Sequence, residues 1–333
     1  MHKPVRAAWN TLAESCGLEV DELMRREVVQ QVQGRIRFDE PMNRHTSFKV
    51  GGPADILAEP ADEKSLLELL RISDFHNQPI TILGGGTNVL YSDKGVRGVA
   101  LSLRKGFAAI ELEENAYGSG IHRLVVGGGL GTFKLLKFCR ENLLQGMEYL
   151  AGVPGTMGGA VRMNAGTYAG EIVNNCQWVR KVTWGAVGQI VKVSASEMGF
   201  EYRHSNLAPR EIVISAAFKV CSAADDSFLA DLDGILERRK ATQPVHLPNA
   251  GSIFKNPPGD YAGRLIEAAG LKGFSQGGAQ VSPMHANFIV NTGNATASDV
   301  RAVAEHVRKV VKDQSGIELE WEVKLMGDWG EHG

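Results

Sequence analysis

The chain has 333 residues, 43% hydrophobic and 22% charged, with a formal net charge of −2. This is globular composition with length for two or three domains. No basic excess or charge block calls for nucleic acid or a membrane surface, and no apolar run approaches the ~18 residues of a membrane span.

Residues 8–33 predict one or two amphipathic helices (Leu12, Leu18, Leu23, Val28, Val32), stopped by Gly34. Residues 44–53 predict a strand and then a turn, and 56–58 a short strand ended by Pro60. Asp62 is an expected N-cap for a helix with Leu66, Leu69 and Leu70 on one face. Residues 80–83 predict a buried strand that runs into Gly84-Gly85-Gly86-Thr87-Asn88. Three glycines allow a tight turn and bring N–H groups close to a ligand, so a nucleotide or dinucleotide pyrophosphate is expected here, with a plain turn as the alternative. The loop is neither GxGxxG nor followed by Gly-Lys-Ser/Thr, which disfavours an ordinary Rossmann fingerprint or P-loop.

A second unit starts near Phe107 with strands expected at 109–112 and 124–126. Gly127-Gly128-Gly129-Leu130-Gly131 then opens a helix with Phe133, Leu136 and Cys139 predicted inward, a second candidate anion site. Residues 148–166 are too glycine-rich for a core element and too apolar for a linker, and so predict a long irregular functional segment. Strands are expected at 178–183, 190–193 and 212–220, around Glu201-Tyr202-Arg203-His204-Ser205. A third unit begins near Ser222, with a helix ending in Arg238-Arg239-Lys240 and a loop carrying Ala250-Gly251-Ser252-Ile253-Phe254-Lys255-Asn256-Pro257. Short helical and strand pieces follow at 262–269 and within 285–291, then a capping box at 296–299 before a helix bearing Val300, Val303, Val307, Val310 and Val311. Residues 317–325 alternate with period two, which predicts a strand with Glu318, Glu320, Glu322 and Lys324 on one face.

The 39 glycines exceed the usual ~7% and cluster at 84–86, 127–131, 152–159, 251 and 277–278, which suggests backbone close to a large ligand in several places. Cys16, Cys139, Cys176 and Cys221 form no CxxC and read as reduced thiols of a cytoplasmic protein. The basic N-terminus has no apolar segment behind it, so no signal peptide is expected. No histidine pair has metal-ligand spacing, and no metal is expected; His45, His204 and His285 read as structural.

In this order, His45-Thr46-Ser47-Phe48-Lys49-Val50-Gly51-Gly52, residues 83–90, residues 150–171, Tyr202-Arg203-His204-Ser205, residues 250–257, 271–282 and 285–291, and Trp321-Glu322-Val323 closely resemble the MurB family, the UDP-N-acetylenolpyruvoylglucosamine reductases of cell-wall synthesis. The resemblance spans roughly 44–327. It implies an α+β protein: an FAD-binding fold of the vanillyl-alcohol-oxidase (PCMH) type, made of two α+β subdomains, plus an α+β substrate-binding domain. The implied division is a helical segment at 1–35, FAD-binding subdomains at 36–105 and 106–221, a substrate domain at 222–316, and a C-terminal strand within 317–333 that returns to the FAD-binding part.

The resemblance further implies non-covalent FAD, NADPH as hydride donor, and UDP-N-acetylglucosamine enolpyruvate as substrate, with small molecules as the only partners, no nucleic acid, no membrane and a monomeric chain. It would place the flavin against Gly84, Gly85, Gly86, Thr87, Asn88 and Val89 on one wall. The other wall would be Gly152, Val153, Pro154, Gly158, Gly159, Asn164 and Gly166. It implies Ser252 as proton donor, Arg203 as the catalytic arginine and Glu322 as the third catalytic residue. Read alone, Ser252 is a turn hydroxyl and Arg203 a surface ion-pair residue, and the alternation cannot choose among the three glutamates. Tyr202, Lys255, Asn256 and Gln276 are implied substrate contacts. Some family members carry a lysine where Thr242 stands, so whether Lys240 or another cation meets the diphosphate stays open. The short 206–248 stretch fits the shorter subtype that lacks a substrate-closing loop. Two other readings keep the glycine loops: an FAD-dependent oxidase of the same superfamily, and a flavin- or nucleotide-binding protein without catalysis.

Overall fold

The computed structural model describes residues 20–185, 188–225 and 227–330. The part of the N-terminal helical pattern with Leu12 and Leu18 lies outside the described residues; within them the pattern is one helix, α1 (Val20–Gln31). Its Met24 and Val28 and the following Val32 are buried.

The first sheet has the order β1-β2-β5-β3. Strand β1 (Gly34–Pro41) pairs antiparallel with β2 (Pro53–Pro60). Helix α2 (Glu63–Phe75) follows, its N-terminus capped by the Asp62 carboxylate, which accepts from Ser65 N–H at 2.7 Å. Then come β3 (Ile80–Leu83), β4 (Val89–Tyr91) and β5 (Val96–Ser102), and β5 lies parallel to both β2 and β3. Leu66, Leu69 and Ile72 of α2 are fully buried in one core with Ile56, Val99 and Leu101. The strand expected at 44–53 is absent. A 3₁₀ turn at Met42–Arg44 leads into irregular chain, because Lys49 turns the backbone at φ +60 and Ser47 N–H bonds to Gly86 O instead of to a ladder. Phe48 and Val50 are still buried alternately, which explains the strand-like pattern.

The second sheet contains β6 (Ile110–Glu113), β7 (Ile121–Gly127), β8 (Leu144–Gln145), β11 (Cys176–Thr183), β12 (Ile190–Ser194) and β13 (Glu211–Ser222); β9 (Gly166–Thr167) and β10 (Gly170–Glu171) form a separate small hairpin. Its order is β12-β11-β13-β7-β6, with β8 also on β13. Between β7 and β8 lies α3 (Thr132–Glu141). Phe133, expected inward, is 59% exposed. Thr132 starts the helix, donating its N–H to Gly155 O and its hydroxyl to Val153 O, and so turns Thr132, Leu135 and Cys139 inward and residue 133 out. Residues 148–166 are less irregular than expected: a 3₁₀ turn and α4 (Met157–Arg162) form within them.

The third unit contains α5 (Ser227–Thr242), α6 (Ala262–Ala268), β14 (Ser275–Gln276), β15 (Ala279–Val281), β16 (Ile289–Asn291) and α7 (Ala297–Ser315). Thr296 and Asp299 form the expected capping box, and Val300, Val303, Val307 and Val311 are buried. Helix α5 packs instead on Ala151 and Leu136 of the second unit. The predicted terminal strand is reduced to β17 (Lys324–Met326), parallel to β4. Residues 317–323 bury Leu319 and Val323 while leaving Glu318 and Glu320 exposed, as alternation requires. Their bonds run irregularly to residues 253–255 (Glu322 N–H to Ile253 O, Lys255 N–H to Glu320 O), so the segment is extended without a regular ladder.

Candidate active site

The loop after β3 is the place to begin. Among the described residues no protein acceptor takes the N–H groups of Gly84 to Asn88, whereas Gly86 O accepts from Ser47. A Cβ on Gly85 would stand 2.5 Å from Gly155 Cα, and one on Gly86, at φ +69, would stand 1.9 Å from His45 O. Backbone therefore meets backbone here, and free donors line the junction. The second candidate anion site is overturned: the N–H groups of Gly128, Gly129, Leu130 and Thr132 are spent on the carbonyls of Ile214, Phe107, Gly127 and Gly155. That loop is a packing device for β7, β13 and α4.

The two glycine walls border one cavity of about 960 Å³, at the upper end of small-molecule sites. It is lined by Gly84, Gly85, Gly86, Thr87, Asn88 and Val89 on one side and by Val153, Pro154, Gly158, Gly159 and Gly166 on the other. The Thr87 hydroxyl donates to Pro154 O at 3.0 Å and bridges the walls. Asn88 donates from Nδ2 to Glu322 O at 3.2 Å.

Arg203, Ser252 and Glu322 reach the same cavity from three parts of the chain. Arg203 sits in a tight turn closed by Glu201 and His204, at φ +55, a left-handed conformation that costs a non-glycine residue about 1 kcal/mol or more. Its Nε lies 3.2 Å from Glu322 Oε1. Ser252 precedes Ile253, whose carbonyl takes the Glu322 N–H at 2.8 Å, so irregular pairing brings the hydroxyl and the carboxylate to one wall. Of the three glutamates, Glu318 pairs with Arg308 and Lys312 and Glu320 with Lys255, while Glu322 faces the cavity. Burial pushes the Glu322 carboxyl up, and the Arg203 guanidinium pulls it back only in part.

The chain matches the MurB_C family, described as the UDP-N-acetylenolpyruvoylglucosamine reductase C-terminal domain, over residues 243–326, and the FAD binding domain family over 54–194. UDP-N-acetylenolpyruvoylglucosamine reductase 2 of Symbiobacterium thermophilum is 45% identical over 300 residues, 88% of this chain and 93% of the relative. The reductase of Geobacter sulfurreducens is 44% identical over 298 residues, 90% of this chain and 96% of the relative. The crystal structure of MurB from Thermus caldophilus matches with TM-score 0.73 and 31% identity, over 89% of this chain and 99% of that one. The chain belongs to the UDP-N-acetylenolpyruvoylglucosamine reductase family. Its fold is thus the α+β FAD-binding fold with a MurB C-terminal domain.

Several expected residues of this MurB chain lie elsewhere. Asn164 is buried and does not line the cavity: Nδ2 donates to Glu171 Oε2 (2.8 Å) and Glu201 O (3.0 Å), and Oδ1 accepts from Val173 N–H (3.0 Å). Gly152 is covered by the Arg239 stem, which a Cβ would meet at 2.5 Å. Gln276 is exposed on β14, away from the cavity, and Lys255 is held by Glu320 at 2.6 Å. Tyr202 is 47% exposed with the Arg203 guanidinium 4.8 Å from its ring centroid. Asn256 does line the cavity, its Oδ1 accepting from Ala262 N–H.

Lys240, the cation left open, is an exposed partner of Glu237 and does not line the cavity; Arg238 and Arg239 do. With them come Arg104, Arg162 and Lys324, none singled out from the sequence as a site residue. Burial lowers the pKa of Arg162, Arg239 and Lys324. Counting Arg203, six cations line the cavity against the carboxylates of Glu211 and Glu322, and Glu211 is already paired with Lys181. The Arg238-Arg239 pair at the end of α5 was visible as a charge run; Arg104 and Arg162 carried no pattern of their own.

Proposed function

We propose that this chain is a UDP-N-acetylenolpyruvoylglucosamine reductase that uses FAD and NADPH to reduce UDP-N-acetylglucosamine enolpyruvate to UDP-N-acetylmuramate. The observation that carries the reading is the convergence of Arg203, Ser252 and Glu322 on the cavity bordered by the two glycine walls. The walls suit FAD: the N–H groups at 84–88 have no protein acceptor among the described residues, and glycine at 85 lets this loop lie against Gly155 of the other wall. Residues 36–105 and 106–221 would hold it between them, and residues 222–316 would cover the substrate.

FAD, when bound, carries the two electrons of a hydride from NADPH to the vinyl carbon of the substrate. The rest is the work of the chain. Hydride addition at the terminal carbon shifts electron density to the neighbouring carbon and its carboxylate. Arg203 offers a fixed charge and a planar donor fork to that carboxylate. Preorganised donors at developing charge are commonly the largest catalytic contribution. Ser252, on the cavity wall, gives its proton to the neighbouring carbon. Glu322, held beside Arg203, orients the fork. The cationic lining attracts the diphosphates of both UDP-sugar and NADPH.

The test is NADPH oxidation by the yellow protein with and without the enolpyruvyl substrate, for wild type and Ser252→Ala. Substrate-dependent turnover is expected to fall by ~10²–10⁴ in Ser252→Ala, with flavin reduction by NADPH intact. NADPH oxidation indifferent to the enolpyruvyl substrate would overturn the reading.

A further inference from the structure

The environment of Arg203 contains a second carboxylate that the reaction above does not use. Arg203 Nη1 lies 3.4 Å from Glu171 Oε1, and Nη2 donates to Gly166 O at 3.3 Å. With Nε on Glu322, three of the five guanidinium N–H donors are engaged. One N–H on each terminal nitrogen then remains for a substrate carboxylate.

Glu171 is itself held by donors on both oxygens. Oε2 takes Asn164 Nδ2 at 2.8 Å, Oε1 faces Arg203, and the Glu171 N–H donates to Asn174 Oδ1. The same Asn164 amide donates to Glu201 O, in the turn that carries Arg203. Asn164 therefore fixes both the carboxylate and the turn on which the arginine is mounted. We propose that Glu171, anchored by Asn164, is a positioning residue that pins one arm of the Arg203 guanidinium so that its remaining donors face Glu322 and the substrate carboxylate. This rests on the reading of Arg203 given above.

Two donors hold Glu171, one on each oxygen, and an amide has one oxygen. Glu171→Gln must therefore set an NH₂ against Arg203 or Asn164. Turnover with the enolpyruvyl substrate is expected to fall roughly 10–100-fold, the scale of a ~1 Å misplacement. Flavin reduction by NADPH in a single turnover should stay within about twofold of wild type, since that step develops no charge on an enolpyruvyl carboxylate and the Arg203 charge itself is retained. Two further readouts separate positioning from general damage. In an Arg203→Ala background Glu171→Gln should cause no additional loss, because the group it acts through is gone. The limb of the pH profile belonging to Glu322 should move to higher pH in Glu171→Gln. Glu322 faces Arg203, Lys255 and Lys324, and a guanidinium no longer pinned towards it stabilises its charged form less. Glu171→Asp keeps two oxygens, should fold where Gln does not, and should show a smaller loss that also vanishes without Arg203. Equal turnover of Glu171→Gln and wild type, or a loss that persists in the Arg203→Ala background, would overturn the proposal. If Arg203→Ala itself turns over normally, the reading of the active site fails instead, and the two failures are distinguished.

Discussion

Gly85→Ala tests the proposed flavin wall where its two loops touch. A Cβ there would lie 2.5 Å from Gly155 Cα and 3.1 Å from its carbonyl carbon. Carbon atoms in contact sit about 3.5–4.0 Å apart, so the two loops must separate by about 1 Å. Both opposing atoms are backbone, and no side chain can swing aside. Overpacking of this kind costs about 1–3 kcal/mol, which is about 5–150-fold if it falls on flavin affinity. The assay is titration of apo-protein with FAD, followed by flavin fluorescence. The control is Gly234→Ala in α5, where a Cβ meets nothing within 4 Å; there affinity should be unchanged and the helix gains up to about 1 kcal/mol. A Kd for FAD in Gly85→Ala within about twofold of wild type would refute the claim that the contact of these loops shapes the flavin site.

Two further outcomes follow from single observations. Glu322 has its pKa raised from 4.5 by burial, so the folded protein holds that proton to higher pH than the unfolded chain. Its contribution to stability is full below about 4.5 and is lost as pH rises through the raised value. Denaturant midpoints of Glu322→Gln across pH 4–7 should therefore gain on wild type as pH rises; an opposite trend would sink this assignment. Asp62→Ala removes the acceptor for Ser65 N–H at 2.7 Å and should lower stability by about 1 kcal/mol, seen as a drop in Tm with FAD affinity retained.

How much of this was legible in the sequence depended on whether the signal was local. The strand Ile80–Leu83, the Asp62 cap and the Thr296–Asp299 capping box were readable because each is fixed by neighbours within a few residues. The false strand at 44–53 shows the limit. Burial alternates at Phe48 and Val50, yet Ser47 spends its N–H on Gly86, 39 residues away. The same limit applies to the glycine clusters. Both 84–86 and 127–131 suggested anion binding, and only the accounting of N–H acceptors shows that the second is spent on packing. Among the site residues, the resemblance selected Glu322 where alternation could not. Asn164 lies off the cavity, held by partners at 171, 173 and 201 that its own segment does not announce.

The position of the chemistry relative to the glycine wall is set by ties between residues more than 200 apart. Asn88 closes the Gly84–Gly86 loop; its carbonyl accepts from Lys324 N–H at 3.0 Å and its amide donates to Glu322 O. One residue therefore fixes both the glycine loop and the backbone on which the carboxylate rides. Nearby, the Asp93 carboxylate accepts from the N–H groups of Ala297 and Ser298 and so caps α7 from outside its own unit, while Asn291 donates to Phe48 O. These bonds join the first unit to the third, and those of Ala297 and Asn291 lie at half-buried and buried positions, where an unmet polar group is costly. The third unit is thus anchored beside the loop that would face the flavin. The charge follows the same geometry: a chain with net charge −2 gathers six cations around one cavity. This concentration of positive charge is therefore a property of the fold, invisible in the overall charge.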